Sequence, residues 1–589
     1  MNSLEANLTD IIEKRWPYTT PSVQQSYVKV FEYLGLKEEK SIDHFLNPSL
    51  KLFNHPFKMT DMEKAVDFLI KYLDEDKKIL FFGDYDADGA TTTALFVSVL
   101  RKKGYNNIEW FVPHRHKHGY GLNADKMKEF FTSYDLIVTG DTGIKEMKII
   151  SESPIPIIVT DHHETTVSMN KSDLDIYAEF STIVERDGKF MAIPRCEAVV
   201  NPKRIDCDYP NEWLSGVAVI YKLLQGIFIK KGWSQMELIP RLDLVALGLV
   251  ADLVPQIDVH HQDLEVRMMT AVGLKMMNEK PSLWVRSFQA VTGNTEVKFS
   301  DLGFNFGPRI NAAGRLDSAD PAVEFLLEED DVDLSLELAQ QLEEINNERK
   351  EFQQRGIKSS MDSLSSVSKY FYERIVVVEM EEQYHSGIAG LIASSLSGKY
   401  NVPAIVLCHK MVDGVKYLTE YCRSVDGISI LDILIAAEKK FGTYRYGGHD
   451  AAAGLTIKAD DFELFRDIII GIANNLPNEL YENKLFYDIE IPISEIDYGV
   501  VELIENSFQN IRLFSPDNEF YSPAGSLNNI HGLLFLEKDQ KRVRAITFNR
   551  AAELLEDFLA HNPKSSDIVF QVSTYGKGIS YRLDSWEFK

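Results

Sequence analysis

Three carboxylates at alternate positions open the chemistry of this sequence. The run Gly83-Asp84-Tyr85-Asp86-Ala87-Asp88-Gly89 follows directly on the apolar stretch Ile79 to Phe82. On an extended chain alternate side chains point the same way, so Asp84, Asp86 and Asp88 can converge. Converging carboxylates repel one another unless a cation sits among them. A calcium loop of the EF-hand type begins in the same way but needs a glutamate at its twelfth position, and counting from Asp84 that position holds Leu95. A solvated acidic loop is the other alternative. Farther along, Asp141 follows the apolar run of YDLIVTGDTGI, Asp161-His162-His163 follow that of PIPIIVTDHHE, and Asp252 interrupts LVALGLVADLVP. Asp141 alone would serve equally as a helix N-cap, and a pair of histidines alone is more often surface or core than ligand. An acid in apolar company, like Asp252, must be paired or bound to metal. Together they make an oxygen and nitrogen donor set without thiolate, which favours Mn2+ or Mg2+ over structural zinc. Two such ions, roughly 3.5–4 Å apart, would clamp a phosphodiester and activate a water. No Ser-His-Asp arrangement competes for the chemistry, and no P-loop or G-x-G-x-x-G follows the first strand.

The elements that must position these residues read as strand, acidic turn and helix, three times over. The predicted strands are Ile79 to Phe82, the run in YDLIVTGDTGI, and the run in PIPIIVTDHHE, each ending in an acidic turn. In an open parallel sheet such turns share the carboxyl edge, where α/β proteins place their sites. Residues 1–75 read as a helical, polar segment. Residues 165–200 read as an irregular surface excursion, and a mostly helical stretch follows from Glu212 to Met277. From Asp333 to Leu364 one apolar face, with Leu338, Leu342, Ile345 and Phe352, predicts a long connector helix. Residues 374–457 begin another α/β unit. The tail from Leu485 has short alternating strands and one helix at 551–560, the pattern of a small β-barrel.

With 589 residues the chain is long enough for several domains, and its net charge of −26 argues against coating nucleic acid by bulk positive charge. Cys196, Cys207, Cys408 and Cys422 form no C-x-x-C pair, so neither a disulfide framework nor a zinc ribbon is expected. The first residues carry acids and no long apolar run, and no stretch approaches the roughly 20 apolar residues that span a bilayer. A cytoplasmic protein is expected.

In order along the chain, DYDADG, Asp141, the DHH of 161–163 and Asp252 match the DHH phosphoesterase superfamily. VPHRHKHGYGL at 112–122, NPK at 201–203, LVALGLVADLVP at 244–255, GPRINAAGRL at 307–316, HSGIAGLIAS at 385–394 and GGHDAAAG at 447–454 narrow the resemblance to RecJ-like nucleases, over nearly the whole chain. The resemblance implies an α/β fold with five parts: an N-terminal helical segment (1–75), a DHH catalytic domain with a parallel sheet (76–330), a connector helix (331–367), a DHH-associated α/β domain (368–480) and an OB-like β-barrel that binds nucleic acid (481–589). It implies two Mn2+ or Mg2+ ions held by Asp84, Asp86, Asp88, Asp141, His162 and Asp252, with Asp141 bridging both and His163 beside the scissile phosphate. Arg115 and Tyr120 match positions that hold the DNA 5′ end, by ion pairing and stacking respectively, and Arg423 matches a 5′-phosphate contact from the second lobe. Arg309, Asn311 and Arg315 would line the path to the site, and Gly447, Gly448 and His449 the substrate face of the second lobe.

The activity implied is 5′-to-3′ exonuclease on single-stranded DNA, releasing 5′-mononucleotides in recombination and repair. The enzyme would be a monomer, working beside single-strand binding protein or a recombination helicase. A DHH phosphodiesterase of short oligonucleotides or cyclic dinucleotides, and a non-catalytic DHH-type scaffold, are the rival readings. The chain departs from the family pattern in the long segment between His163 and Asn201. It departs again at Tyr421 and Cys422, where a serine and an alanine are usual, and at LFSPDNEFYSP (513–523), which replaces a glycine-rich stretch.

Overall fold

A computed structural model describes residues 15, 20–119, 121–258, 263–365, 373–381, 386–412, 414–442, 445–481, 487–528, 530–548, 550–575 and 578–589. Its first sheet begins with strands β1 (Ile79–Phe82), β2 (Ile108–Phe111), β3 (Leu136–Gly140) and β4 (Ile157–Thr160). Then come a small antiparallel sheet of β5 (Val167–Ser168), β6 (Ser181–Arg186) and β7 (Lys189–Pro194), and β8 (Ala198–Val200). The main sheet has the order β2-β1-β3-β4-β8, and every pair in it is parallel. β1, β3 and β4 are buried along their whole length, as a parallel sheet covered on both faces requires. Alternation splits them between two cores. Phe81, Val138 and Ile158 face helices α1 (Ala87–Lys102), α2 (Gly216–Lys231) and α3 (Leu242–Ala251), while Leu80, Ile137 and Val159 face the other way.

The expectation of an irregular excursion at 165–200 needs correction. The segment carries the three-stranded sheet and ends in β8, which completes the parallel sheet. β5 and β8 have only two and three residues, and burial along the six-residue β6 and β7 does not alternate, so no period of two marks them.

Helix α4 (Gly307–Leu316) leads toward α5 (Val332–Ser365), a connector of 34 residues. Leu338, Ala339 and Leu342 of α5 belong to the first lobe's core, and Phe352, Ile357 and Leu364 pack into the second's. Where it crosses, Gly356 lies so close to Ile392 that an added Cβ would stand 2.5 Å from its Cδ1. The second lobe sets α6 (Ser386–Tyr400) against a sheet of β9 (Val376–Glu379), β10 (Ala404–Val412), β11 (Val415–Arg423), β12 (Arg445–His449) and β13 (Ala452–Lys458). Its order is β12-β13-β11-β10-β9, antiparallel except for β9 with β10.

The tail opens with β14 (Ile489–Glu490). Strands β15 (Leu513–Leu527), β16 (His531–Lys538), β17 (Lys541–Thr547), β18 (Ser565–Tyr575) and β19 (Gly578–Phe588) then close a five-stranded barrel through the β15–β18 pairing. β15 is the long strand that the sequence pattern hides. It holds Pro516 and Pro523 and slips register with β16 around Ser522, as bulged strands do.

The N-terminal segment, expected as one unit, divides between two cores. Tyr27, Phe31 and Phe45 pack with Ile491, Val501 and Phe570 of the barrel region, and Tyr27 Oη donates to Asp497 Oδ1 at 2.9 Å. The helix Met62–Asp74 belongs to the first lobe. No helix among the described residues is long and apolar enough to cross a membrane.

Lys222, at the middle of α2, and Glu265 form an ion pair with neither side chain exposed. Asn54 N and Tyr209 Oη also donate to Glu265, at 2.8 and 2.6 Å, and Lys222 Nζ donates to Asn54 O at 2.9 Å. This network fixes α2, whose N-terminus reaches the acidic turn. Glu265→Ala strands the buried ammonium and is expected to lower the unfolding free energy by about 3–5 kcal/mol. Urea denaturation reads it, and a loss under ~1 kcal/mol would remove the pair as the tie that holds α2.

Candidate metal centre

Every acidic turn comes off the carboxyl edge of the parallel sheet. After β1 the chain turns so tightly that an added Cβ on Gly89 would lie 2.3 Å from the Asp84 carbonyl oxygen. Asp86 caps α1, its Oδ1 accepting from Gly89 N at 3.0 Å. Asp88 therefore lies within the first helical turn, not on an extended run. Strand alternation therefore does not align them, and the three carboxylates part into two groups. Asp84 and Asp86 gather with Asp141, while Asp88 gathers with His162 and Asp252, the candidate ligand atoms of each group all within 4.8 Å of one another. A third group of Asp141, His162 and His163 joins them.

Asp141 is the shared member. It adopts the left-handed conformation, with φ 63°, directly after β3, a strain that persists only where the surroundings enforce it. The N-terminus of α2 presses on it: a Cβ on Gly216 would stand 2.5 Å from Asp141 Cβ. Its Oδ1 is buried without a hydrogen-bond partner among the described residues, yet lies 3.0 Å from His162 Nε2. The same nitrogen is 3.7 Å from Asp252 Oδ2 and 3.8 Å from Asp88 Oδ2.

Asp88 is already committed. Its Oδ1 accepts from Ser215 Oγ at 3.0 Å and Val217 N at 3.1 Å, and its Oδ2 from Gly216 N at 2.6 Å. It thus sits as an anion on the N-terminus of α2, where the helix dipole favours it.

Electrostatics tell the same story. Burial, reinforced by the neighbouring acids, pushes Asp84 up to about 8, Asp88 to about 7, Asp252 to about 8 and Asp141 well above the usual carboxylate range. Burial lowers His162 to about 3, so its imidazole is neutral, the form that binds metal. His163 goes the other way. Burial opposes its charge, but the bond of its Nδ1 to Asp161 Oδ1 at 2.8 Å outweighs that and lifts it to about 9. A buried acceptor without a donor, crowded carboxyls and a neutral imidazole fit divalent cations with oxygen and nitrogen ligands.

Asp161, named in the sequence beside the two histidines but given no role of its own, is the residue that holds them. It accepts from the backbone N–H groups of His162 and His163 at 2.7 and 3.0 Å, and from Ile144 N at 2.9 Å. Burial works against its charge, but His163 holds it well below the usual range. Its place directly after a strand, like that of Asp141, was the available signal.

Beside the acids lies a group of arginines. Arg115 stacks on the Tyr85 ring, Cζ 4.1 Å from the centroid, and donates to Gly314 O at 3.1 Å. Arg315 donates to Gly387 O of the second lobe at 3.1 Å. Burial and then Arg115 lower Arg315 to about 10, with Asp86 opposing and Arg423 adding to the effect. Arg115, Arg423 and Asp86 thus lie near enough for their charges to act on Arg315. Arg349, on α5, is a neighbour that the sequence reading missed. Arg309 is spent elsewhere, its Nε 2.5 Å from Glu343 on α5 and its Nη1 donating to Asn305 O at 2.7 Å. Asn311 Oδ1 accepts from Ala87 N at 2.9 Å and so holds the acidic turn. His449 is exposed, and Gly448, at φ 150°, turns the chain beside it. Tyr120 and His385 lie outside the described residues.

Two family models match: the DHH family, N-terminal domain, over residues 78–249, and the DHHA1 domain over 369–475. The chain is 30% identical to the single-stranded-DNA-specific exonuclease RecJ of Escherichia coli strain K12, over 76% of this chain and 75% of that protein. It is 29% identical to that of Haemophilus influenzae, over 78% of this chain and 77% of the other. To that of Bacillus subtilis it is 30% identical over 85% of its own length, but it spans only 57% of that longer protein. In three dimensions it resembles RecJ in complex with Mn2+ from Thermus thermophilus, with a TM-score of 0.72 at 21% identity, covering 100% of this chain and 78% of that one. A second resemblance is to exonuclease RecJ bound to manganese, with a TM-score of 0.57 at 26% identity, covering 74% of this chain and 98% of the other.

A carboxyl with a raised pKa costs stability wherever the unfolded chain would be ionised. Asp141→Asn is therefore expected to raise the melting temperature of the metal-free protein by about 2–4 °C near neutral pH, and Mn2+ to stabilise the wild type but not the variant. Differential scanning fluorimetry reads both, and an equal Mn2+ shift in the two would remove Asp141 from the ligand set. Because Asp84 and Asp252 hold protons up to about pH 8, Mn2+ affinity should weaken as the pH falls from about 8 to about 6, as titration calorimetry would show.

Proposed function

We propose that this chain, which belongs to the family of RecJ single-stranded-DNA-specific exonucleases, is itself a two-metal exonuclease that shortens single-stranded DNA from its 5′ end and releases 5′-mononucleotides. The observation that carries this reading is the shared carboxylate of Asp141, which stands between Asp84 and Asp86 on one side and His162 on the other. Asp84, Asp86 and Asp141 would hold one Mn2+ or Mg2+ ion, and Asp141, His162 and Asp252 the second. Asp88 completes the second group while anchoring α2. When bound, such ions polarise a phosphodiester and lower the pKa of an attacking water.

The chain's own residues supply the rest. His163 stays protonated at neutral pH, with Nδ1 committed to Asp161, and its Nε2–H would donate to a phosphate oxygen. Arg115 and Arg315 from the first lobe and Arg423 from the second pin the 5′-phosphate, and the backbone carbonyls of Gly314 and Gly387 aim the first two. Guanidinium contacts to phosphate carry no base information, which suits a sequence-tolerant enzyme. A strand gripped at its 5′ end from both lobes presents its first internal phosphodiester to the acids, and one nucleotide leaves per cycle. The barrel supports a long single strand rather than a dinucleotide, because it adds a face on which bases can stack. On the same premise the enzyme acts in the cytoplasm, in recombination and repair, as a monomer alongside single-strand binding protein or a helicase.

The test is a long single-stranded DNA labelled at either end, incubated with Mn2+ or with EDTA. The expected result is Mn2+-dependent release of a 5′ label as mononucleotide, with stepwise shortening of the 3′-labelled strand. Asp141→Ala should reduce the rate by at least about a thousandfold while circular dichroism stays unchanged. Cleavage of dinucleotides with the long strand intact would transfer the chain to the small-substrate phosphodiesterases. Inactivity on both, together with no bound Mn2+, would make it a scaffold.

A further inference from the structure

Arg115 is a long side chain on a short element. It opens the four-residue helix Arg115–His118, three residues after β2. A single helical turn is unstable without outside help, and His114 gives it. The His114 carbonyl oxygen accepts from Lys117 N at 3.1 Å and from His118 N at 2.8 Å, and its N–H donates to His118 Nδ1 at 3.0 Å. The buried side chain of His114 reaches across to the end of α4, where its Nε2 lies 2.6 Å from Asp317 Oδ1. Asp317 directly follows α4, and its N–H donates to Ala313 O at 2.9 Å.

Arg115 meets the same helix end, its Nε donating to Gly314 O at 3.1 Å. The loop is therefore joined to α4 at two points three residues apart, Gly314 and Asp317. A side chain held at one point can pivot about it. Contacts from two adjacent loop residues fix its direction as well. Tyr85 covers the guanidinium on one side, with Cζ 4.1 Å from the ring centroid. Gly314 presses on the same residue so closely that an added Cβ would stand 2.2 Å from Tyr85 O. Among the described residues neither Nη group of Arg115 makes a hydrogen bond, so both are left for an anion. Asp317 lies two residues beyond Arg315, yet it pairs with His114 and, among the described residues, with no arginine. The acid is thus kept from neutralising the guanidiniums beside it.

We infer that His114 is a positioning residue for substrate binding: with Asp317 as its partner, it aims Arg115 at the 5′-terminal phosphate. The inference rests on the reading of Arg115 given above. His114 touches no substrate itself. It acts through the backbone it shares with Arg115, and the contact it needs is a single N–H donated to a carboxylate, which a neutral amide of similar reach can also supply.

The test compares single strands that end in a 5′-phosphate or a 5′-hydroxyl. kcat and KM are read separately in Mn2+, and affinity by fluorescence anisotropy in EDTA. The wild type is expected to prefer the phosphorylated strand. His114→Ala and Asp317→Ala should each raise KM for that strand about tenfold, with kcat held within about twofold and the hydroxyl strand unaffected. The double variant should be no worse than either single one, because both remove the same contact. His114→Gln should restore the preference. Asp317 is exposed, so Asp317→Ala breaks the tie without opening the core and keeps the test decisive if His114→Ala misfolds. Equal losses on both strands, additive losses in the double variant, or a His114→Gln as weak as His114→Ala would overturn the inference. A wild type indifferent to the 5′ group would overturn the reading of Arg115, and this inference with it. A wild-type preference that both alanine variants keep would overturn this inference alone. Anisotropy in EDTA separates these two failures even if no strand is cleaved.

Discussion

Mutual repulsion among buried carboxylates is the constraint on which this structure turns. Asp84, Asp88 and Asp141 are each only 2% exposed and sit at one edge of one sheet. Ionised together they would drive the site apart, and the protein answers with rigid backbone. Asp141 is locked in a left-handed conformation, a glycine lets α2 press against it, and Asp88 is tied to the N-terminus of that helix by three hydrogen bonds. The remaining repulsion is what a bound cation would relieve.

A second tension mirrors the first. Arg115 and Arg423 act on Arg315 as like charges, and burial together with that repulsion makes Arg315 easier to deprotonate than an ordinary arginine. Like-charged groups held together are ready for an anion between them. The chain as a whole carries a net charge of −26, so an anion drawn to these guanidiniums would answer to local charge and not to the bulk charge of the chain. The connector α5 preserves that meeting place. One helix buried in two cores cannot bend without disturbing both, and Arg309 to Glu343 pins its near end to the helix that carries Arg315.

Asp161 and Asn311 show how much of the site lies one step behind the chemistry. Asp161 sets the protonation of His163 and the orientation of both histidines. Asn311 holds the start of α1 and thereby Asp86. Neither side chain touches the space between the carboxylate groups as its main business, yet the geometry of the ligand atoms follows from both.

Much of this was legible in the amino-acid order. The apolar runs before Asp84, Asp141 and Asp161 marked three strands of the parallel sheet, the apolar stripe from Leu338 to Phe352 marked the connector, and four of the five barrel strands showed their alternation. These signals are local, because burial repeats every two or three to four residues whatever the rest of the chain does. Tertiary structure alone decided the rest. It split DYDADG between two groups, because the helix begins at Ala87. It turned Arg309 to Glu343 and gave the first helices to the barrel's core. Those outcomes depend on which distant segments meet, and a sequence read by its periods carries no record of distance through space.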